Sequence, residues 1–358
     1  MMPGGRKVDK EEDVMKRRMA WIMVLVMALS AVCVCLAEEA PQGGEPQGME
    51  EKGDRMNREG APMDGERPEG GRTGGAGGMS ASTQPDEALQ AILDEVQEKY
   101  QLLSYTDPDS GITLQYQLFV PEGAEQGGSY TLIMFIPDSR APGRDASYVL
   151  TIGWGGVVWA TAEEQAKHPC FVMVPVFTET VVDDNFNTSP QIDVAVKIIR
   201  SLADTWPIDP ARIYATGQSM GGMTSFHLNV AYPDLFAASL FVGSQWDNSL
   251  LSVLEDKRFF YIVSAGDDKA STGQAGLKAV FDADGAAYSS AEWSARDDAD
   301  IQNEAVRGMI AEGCGANFIT FTKGTTLEDG AGGSEHLTSF DYAYRLEAVR
   351  DWLFEQSR

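Results

Sequence analysis

Histidine is the scarcest chemically active residue in this chain: 358 residues hold only three, His168, His227 and His336. Any imidazole base must be one of these. Cysteine is almost as rare, and two of the four, Cys33 and Cys35, lie in an apolar run near the amino terminus. The other two, Cys170 and Cys314, each stand just ahead of an expected strand. Those strands belong to distant parts of the expected sheet, and a disulfide needs alpha carbons within about 7 Å, so two free, buried thiols are expected. Basic residues are outnumbered, 28 against 54 acidic ones, for a net charge of −26. That balance excludes a nucleic-acid or anionic-membrane surface as the main partner. From Glu38 to Thr83 large aliphatic residues almost vanish in favour of Gly, Glu, Pro, Arg and Met. Such a stretch cannot bury enough apolar surface to offset chain entropy, so a disordered linker is expected over 38–83. No internal repeat of fixed period is present.

What is present begins with an export signal. Lys16-Arg17-Arg18 directly precedes the apolar run Met19 to Ala37, which ends at Glu38-Glu39. The small residues Cys35 and Ala37 suit cleavage after Ala37, and an uncleaved run would act as a membrane anchor. Residues 1–37 are therefore expected to be a signal peptide or anchor, and the protein to be secreted or extracytoplasmic. Residues 84–358 carry the apolar patterns of one large folded domain. Leu89, Ile92, Leu93, Val96, Tyr100 and Leu103 recur at helical spacing and predict a helix over Pro85 to Tyr105.

Strand-like runs follow at Ile112 to Val120, Tyr130 to Ile136, Cys170 to Val174, Ile213 to Thr216, Ala237 to Val242, Phe259 to Ser264 and Phe318 to Phe321. Helical patterns lie between them, at roughly 148–166, 192–203, 220–231, 273–282, 301–312 and 340–356. This alternation predicts an α/β fold, a mostly parallel sheet with helices on both faces and functional loops at the strands' carboxyl ends. The long stretch Asp282 to Asn317 either packs against the sheet or overhangs a pocket as a partial lid.

Gly217-Gln218-Ser219-Met220-Gly221-Gly222 sits between an expected strand and an expected helix. Glycines two before and two after a serine permit a turn too tight for side chains, lifting the hydroxyl off the sheet edge. A serine needs a base to become a nucleophile. His227 lies eight residues along the same helix, about 12 Å away at 1.5 Å per residue, and His168 stands at the amino end of its strand. His336 follows the last strand and is the base by elimination. An orienting carboxylate is expected after a strand between the two in chain order. Ser264-Ala265-Gly266-Asp267-Asp268 offers two; Asp268 best suits a three-residue loop, Asp267 stays open, and Asp247 is third.

Ile208-Asp209-Pro210-Ala211-Arg212-Ile213-Tyr214-Ala215-Thr216 with the Ser219 turn, and Ala231-Tyr232-Pro233-Asp234-Leu235-Phe236 after it, resemble α/β-hydrolases of the polyhydroxybutyrate depolymerase and feruloyl esterase type. Similar sequences occur among prolyl-oligopeptidase-like serine hydrolases. The close, His336 with Tyr342-Ala343-Tyr344 and Asp351-Trp352-Leu353-Phe354, is similar too, so the resemblance runs from about Tyr105 to Arg358. It implies an α/β-hydrolase fold and a serine esterase with a Ser219, His336 and Asp268 triad, no cofactor and no metal. The substrate it implies is a small-molecule or polysaccharide-linked ester. A serine peptidase of prolyl-oligopeptidase type and a non-catalytic glycan-binding relative are the alternatives.

The chain departs from that pattern at one place. Where such enzymes usually carry His-Gly after the second strand, it has Pro137-Asp138-Ser139-Arg140. Pro137 has no N–H to give, so the expected oxyanion donors are the main chain of Met220 and of Ser139 or Asp138. Asp138 either points inward or turns out to Arg140. Gln218, Trp246 and Asp138 are the expected pocket residues. Trp154 and Trp159 read as packing, and Asp183-Asp184-Asn185-Phe186-Asn187 as a solvated loop, since it lacks the glycine and terminal glutamate of a calcium loop.

Overall fold

The computed structural model describes residues 85–327 and 333–358. The expected signal or anchor, the linker, and part of the glycine-rich run before His336 lie outside the described residues. Among the described residues no helix is long and apolar enough to cross a membrane.

Nine strands form one sheet: β1 (Gln101–Thr106), β2 (Thr113–Phe119), β3 (Tyr130–Ile136), β4 (Cys170–Val176), β5 (Ile208–Gln218), β6 (Ala238–Val242), β7 (Phe259–Ser264), β8 (Tyr288–Trp293) and β9 (Ala316–Phe321). Their order is β1-β2-β4-β3-β5-β6-β7-β9-β8. β1 with β2 and β2 with β4 are antiparallel, and every other pairing is parallel. The seven expected strands all form, and the parallel ones are continuously apolar because helices cover both faces. Alternate residues divide between two cores. Ile133, Phe135, Val172, Tyr214, Val242 and Ile262 enter one, and Leu132, Met134, Met173, Ala215, Phe241 and Tyr261 the other.

The helices are α1 (Glu87–Val96), α2 (Ala162–Lys167), α3 (Gln191–Thr205), α4 (Met220–Ala231), α5 (Asp268–Asp284), α6 (Ala299–Ala311), α7 (Glu335–Arg345) and α8 (Glu347–Glu355). The first core is covered by α1, α6, α7 and α8, the second by α3, α4 and α5.

Two expectations need correction, and one open alternative is decided. The helix over Pro85 to Tyr105 ends at Val96, and Gln101–Thr106 is the edge strand β1. Leu103, which continued the helical spacing, lies in that strand and is half-buried. The helix expected over 148–166 is three short 3₁₀ turns and then α2. Gly153, with φ 142°, interrupts it in a conformation few side chains adopt. Asp282 to Asn317, open in the sequence between packing and a partial lid, packs against the sheet. It supplies edge strand β8 and helix α6, whose Val306 and Met309 are buried in the first core beside α8.

Cys170 is buried and Cys314 only half-buried, and both thiols are free. Cys170 opens β4 and Cys314 stands just ahead of β9, and these strands are separated in the sheet by β3, β5, β6 and β7. At the amino end of β4, His168 stacks on Phe354 at 4.4 Å and its Nε2 lies 2.9 Å from Asp351. It is thus remote from the strands' carboxyl ends. Nearby, buried Glu164 accepts from Arg350 Nε at 2.9 Å, anchoring the last helix.

Candidate active site

The carboxyl ends of β3, β5, β6, β7 and β9 deliver the side chains of interest. Ser219 sits between β5 and α4 with φ 52° and ψ −120°, a conformation rare for a residue with a side chain. The turn holds it there. Ser219 N–H donates to Val242 O at 3.0 Å, and its carbonyl accepts from Met223 N–H at 2.9 Å. The flanking glycines are needed for contact reasons. A β-carbon on Gly217 would overlap the backbone of Gly221, and one on Gly221 would overlap the carbonyl of Ile136 at the end of β3.

His336, in the first turn of α7, reaches both partners. Its Nε2 is 2.8 Å from Ser219 Oγ and its Nδ1 is 2.5 Å from Asp267 Oδ2. An ionised carboxylate only accepts, so Nδ1 carries the proton and Nε2 is free to accept one from Ser219. Phe340 stands edge-on to the imidazole at 5.0 Å, and the Ser339 hydroxyl donates to the His336 carbonyl at 3.0 Å.

The carboxylate that meets His336 is Asp267, not the expected Asp268. Asp267 is the N-cap of α5: its Oδ1 accepts from Ala270 N–H at 3.2 Å while Oδ2 faces the histidine. Its side chain is 6% exposed. Asp268, the first residue of α5, is exposed. Asp247 caps another helical segment, accepting from Ser249 N–H at 3.0 Å, and is occupied there. Burial pushes the neighbouring Tyr261 hydroxyl well above its ordinary pKa, and the Asp267 charge adds to that.

The loop after β3 resolves the alternatives for Asp138. The carboxylate points inward, 1% exposed, and Arg140 turns in to meet it. Asp138 accepts from Arg140 N–H and Nε, each at 2.9 Å, from Arg140 Nη2 at 2.7 Å and from Gln218 Nε2 at 2.8 Å. This pairing raises the Arg140 pKa above its usual value. Asp138 and Gln218 are therefore the floor beneath the site and do not line an open pocket, which corrects the expectation for both. Four donors around Asp138 neutralise the charge that would otherwise oppose an oxyanion.

Ser139 is exposed above this floor. Met220 opens α4, so its N–H has no partner within the helix. Neither it nor the Ser139 N–H donates to an acceptor among the described residues. Close packing of Gly221 on the Ile136 and Pro137 carbonyls sets the two segments side by side.

Trp246 is 3% exposed, which corrects its expected place on a pocket surface. It packs on Phe186 at 5.1 Å and on His227 at 5.7 Å. Burial lowers the His227 pKa, and its position on α4 keeps it away from Ser219. Phe186 itself has φ 62°, in a loop closed by Asp183, which accepts from Asn185 N–H, Asn187 N–H and Asn187 Nδ2. Asp184 pairs with Lys269. Trp159 is fully buried and Trp154 carries Arg345 over its ring at 4.6 Å, so both serve packing.

No family model matches the chain. It is 26% identical over 141 residues to the cutinase est2 of Thermobifida alba, a stretch that is 34% of this chain and 45% of the cutinase. A thermostable esterase superposes with a TM-score of 0.59 at 25% identity, covering 74% of this chain and 64% of the esterase. The chain thus spans less than two thirds of either relative. A ferulic acid esterase matches with a TM-score of 0.46 and 10% identity over 72% of this chain and 98% of its own, too slight a likeness to argue from. The strand order, the strained serine between β5 and α4, and the likeness to the thermostable esterase give this chain the α/β-hydrolase fold.

Proposed function

We propose that the protein hydrolyses carboxylic esters through an acyl-enzyme on Ser219. The observation that carries the reading is the bridge made by His336, 2.8 Å from the serine hydroxyl and 2.5 Å from a buried carboxylate. As Ser219 Oγ attacks the ester carbonyl, His336 Nε2 takes its proton, and Asp267 stabilises the imidazolium. The carbonyl oxygen becomes an oxyanion, for which the Met220 and Ser139 N–H groups are the free donors. One such donor is worth roughly 3 to 4 kcal/mol in related chemistry. His336 then protonates the departing alkoxide, leaving the acyl group on Ser219. Water, deprotonated by the same nitrogen, attacks the acyl carbon; the acid departs and the proton returns to Ser219.

The substrate we assign is a small-molecule or polysaccharide-linked ester, in keeping with the ester hydrolases the chain is similar to. The basic segment and apolar run at 16–37 support export, so the enzyme would act outside the cytoplasm. Fluorophosphonate labelling and p-nitrophenyl acetate turnover of wild type and Ser219→Ala test the reading. Labelling and turnover by wild type only are expected. A folded wild type that neither labels nor turns over ester overturns it, and turnover of proline-containing peptides without esters would favour a peptidase.

A further inference from the structure

Glu335 immediately precedes His336, and Gly266 immediately precedes Asp267. A glutamate in the first turn of a helix ordinarily faces solvent and complements the helix dipole. Glu335 instead turns into the protein. Its Oε2 accepts from the Ser264 hydroxyl at 2.6 Å and from Gly324 N–H at 2.9 Å. Ser264 is the last residue of β7, and Gly324 lies just after β9. One carboxylate oxygen thus ties the start of α7 to the ends of two neighbouring strands. The same side chain fills the space over Gly266, where a β-carbon would overlap the Glu335 carboxylate.

We propose that Glu335 is the positioning residue for His336, and that Gly266 lacks a side chain to admit it. This deepens the ester-hydrolase reading and rests on it for the catalytic consequence. The residue before the histidine lies on the residue before the acid, so seating Glu335 brings the imidazole and the Asp267 carboxylate into register. The connection from β9 to α7 is long, and the Gly324 contact closes it at its two ends. The clamp touches no substrate, and it acts through the 2.5 Å contact of His336 with Asp267 and the 2.8 Å contact with Ser219.

Ångström-scale displacement of a catalytic group costs on the order of a hundredfold in rate. Glu335→Ala should therefore lower kcat on p-nitrophenyl acetate about a hundredfold, with KM within about twofold, since histidine placement and not ester binding is disturbed. Gly266→Ala should act in the same direction by expelling the glutamate. Glu335→Gln keeps an acceptor oxygen for Ser264 and Gly324 and should retain most of the wild-type kcat. Thermal melts identify variants that fail to fold. A second readout needs no ester: the far-downfield proton resonance of the short His336 to Asp267 hydrogen bond. It should persist in Glu335→Gln and disappear from folded Glu335→Ala. The clamp is refuted if folded Glu335→Ala keeps that resonance with wild-type kcat, or if its loss falls on KM alone. Should wild type show no ester turnover and no fluorophosphonate labelling, the hydrolase reading fails while the resonance still decides the clamp.

Discussion

Replacing Asp267 by asparagine separates two adjacent acids that only local geometry distinguishes. Asp267 uses Oδ1 to cap α5, accepting from Ala270 N–H at 3.2 Å, and Oδ2 to hold His336 Nδ1 at 2.5 Å. The cap requires an acceptor, so an asparagine places its carbonyl oxygen there and turns its NH₂ toward the imidazole. Two donors cannot face each other. Nδ1 must lose its proton to Nε2, which then donates toward Ser219 and can no longer take the hydroxyl proton. The same exchange in a well-studied serine protease lowers kcat about 10⁴-fold, or about 5.5 kcal/mol. A side chain 6% exposed leaves little room for water to restore the tautomer, so a loss of about 10³ to 10⁴ is expected. Asparagine and aspartate cap helices about equally, so the thermal midpoint should barely move. Asp268→Asn, at an exposed position, should keep activity within twofold. Steady-state turnover of p-nitrophenyl acetate and the rate of fluorophosphonate labelling measure both. Activity lost in Asp268→Asn, or kept within tenfold in Asp267→Asn, would refute the reasoning.

Gly221→Ala should destabilise the fold by about 3 kcal/mol or more, the top of the usual range for overpacking, because the new methyl meets the Ile136 backbone and not a movable side chain; a loss under about 1 kcal/mol in denaturant titration argues against this. Asp107 accepts from the Lys197 ammonium at 2.6 Å and the Ser110 hydroxyl at 2.6 Å, which hold its carboxyl well below the ordinary range. Its folded pKa being the lower, the stability it contributes is full above the unfolded value of about 3.9 and is lost as pH falls from there toward the folded pKa. The stability gap between wild type and Asp107→Asn should be constant above about pH 5 and close below about pH 4, and a gap independent of pH is the contrary result. Burial pushes the Cys170 thiol far above its usual pKa, so it should resist iodoacetamide in the native state and react only in denaturant, as peptide mapping will show.

The middle of the sheet was legible because its strands are buried on both faces and read as uninterrupted apolar runs, as β3 and β4 do. The edges were not. β8, Tyr288–Trp293, is buried only at Ser289, half-buried or exposed elsewhere, and contains Ser289, Ser290 and Glu292, so nothing apolar announces it. β1 is exposed at Gln101, Leu102 and Ser104, and its Leu103 fits a helical period by accident. A strand that pairs on one side only is specified by packing against its neighbour, which its own residues need not announce. The pocket residues failed for a related reason. Position after a strand says which loop a residue occupies, but not whether its side chain rises into solvent like Ser139 or folds beneath the site like Asp138.

The choice between Asp267 and Asp268 was open in the sequence for want of one consideration, the start of the helix. Counting from the end of β7 gives loops of two or three residues, and both are ordinary. A residue just outside the helix that follows can both cap it and orient a histidine at the carboxyl edge of the sheet. The N-cap is the last position outside, and aspartate there satisfies an orphan N–H with one oxygen while the other remains free. Asp267 is that cap, and Asp268 is already helical. Cap chemistry therefore selects the acid that loop length alone could not. The same reasoning reaches Glu335: it stands at the first position of α7, yet Gly266 leaves room for it to turn inward. Acid and histidine are each set at the mouth of a helix, and the shared contact between the residues preceding them holds the two mouths together.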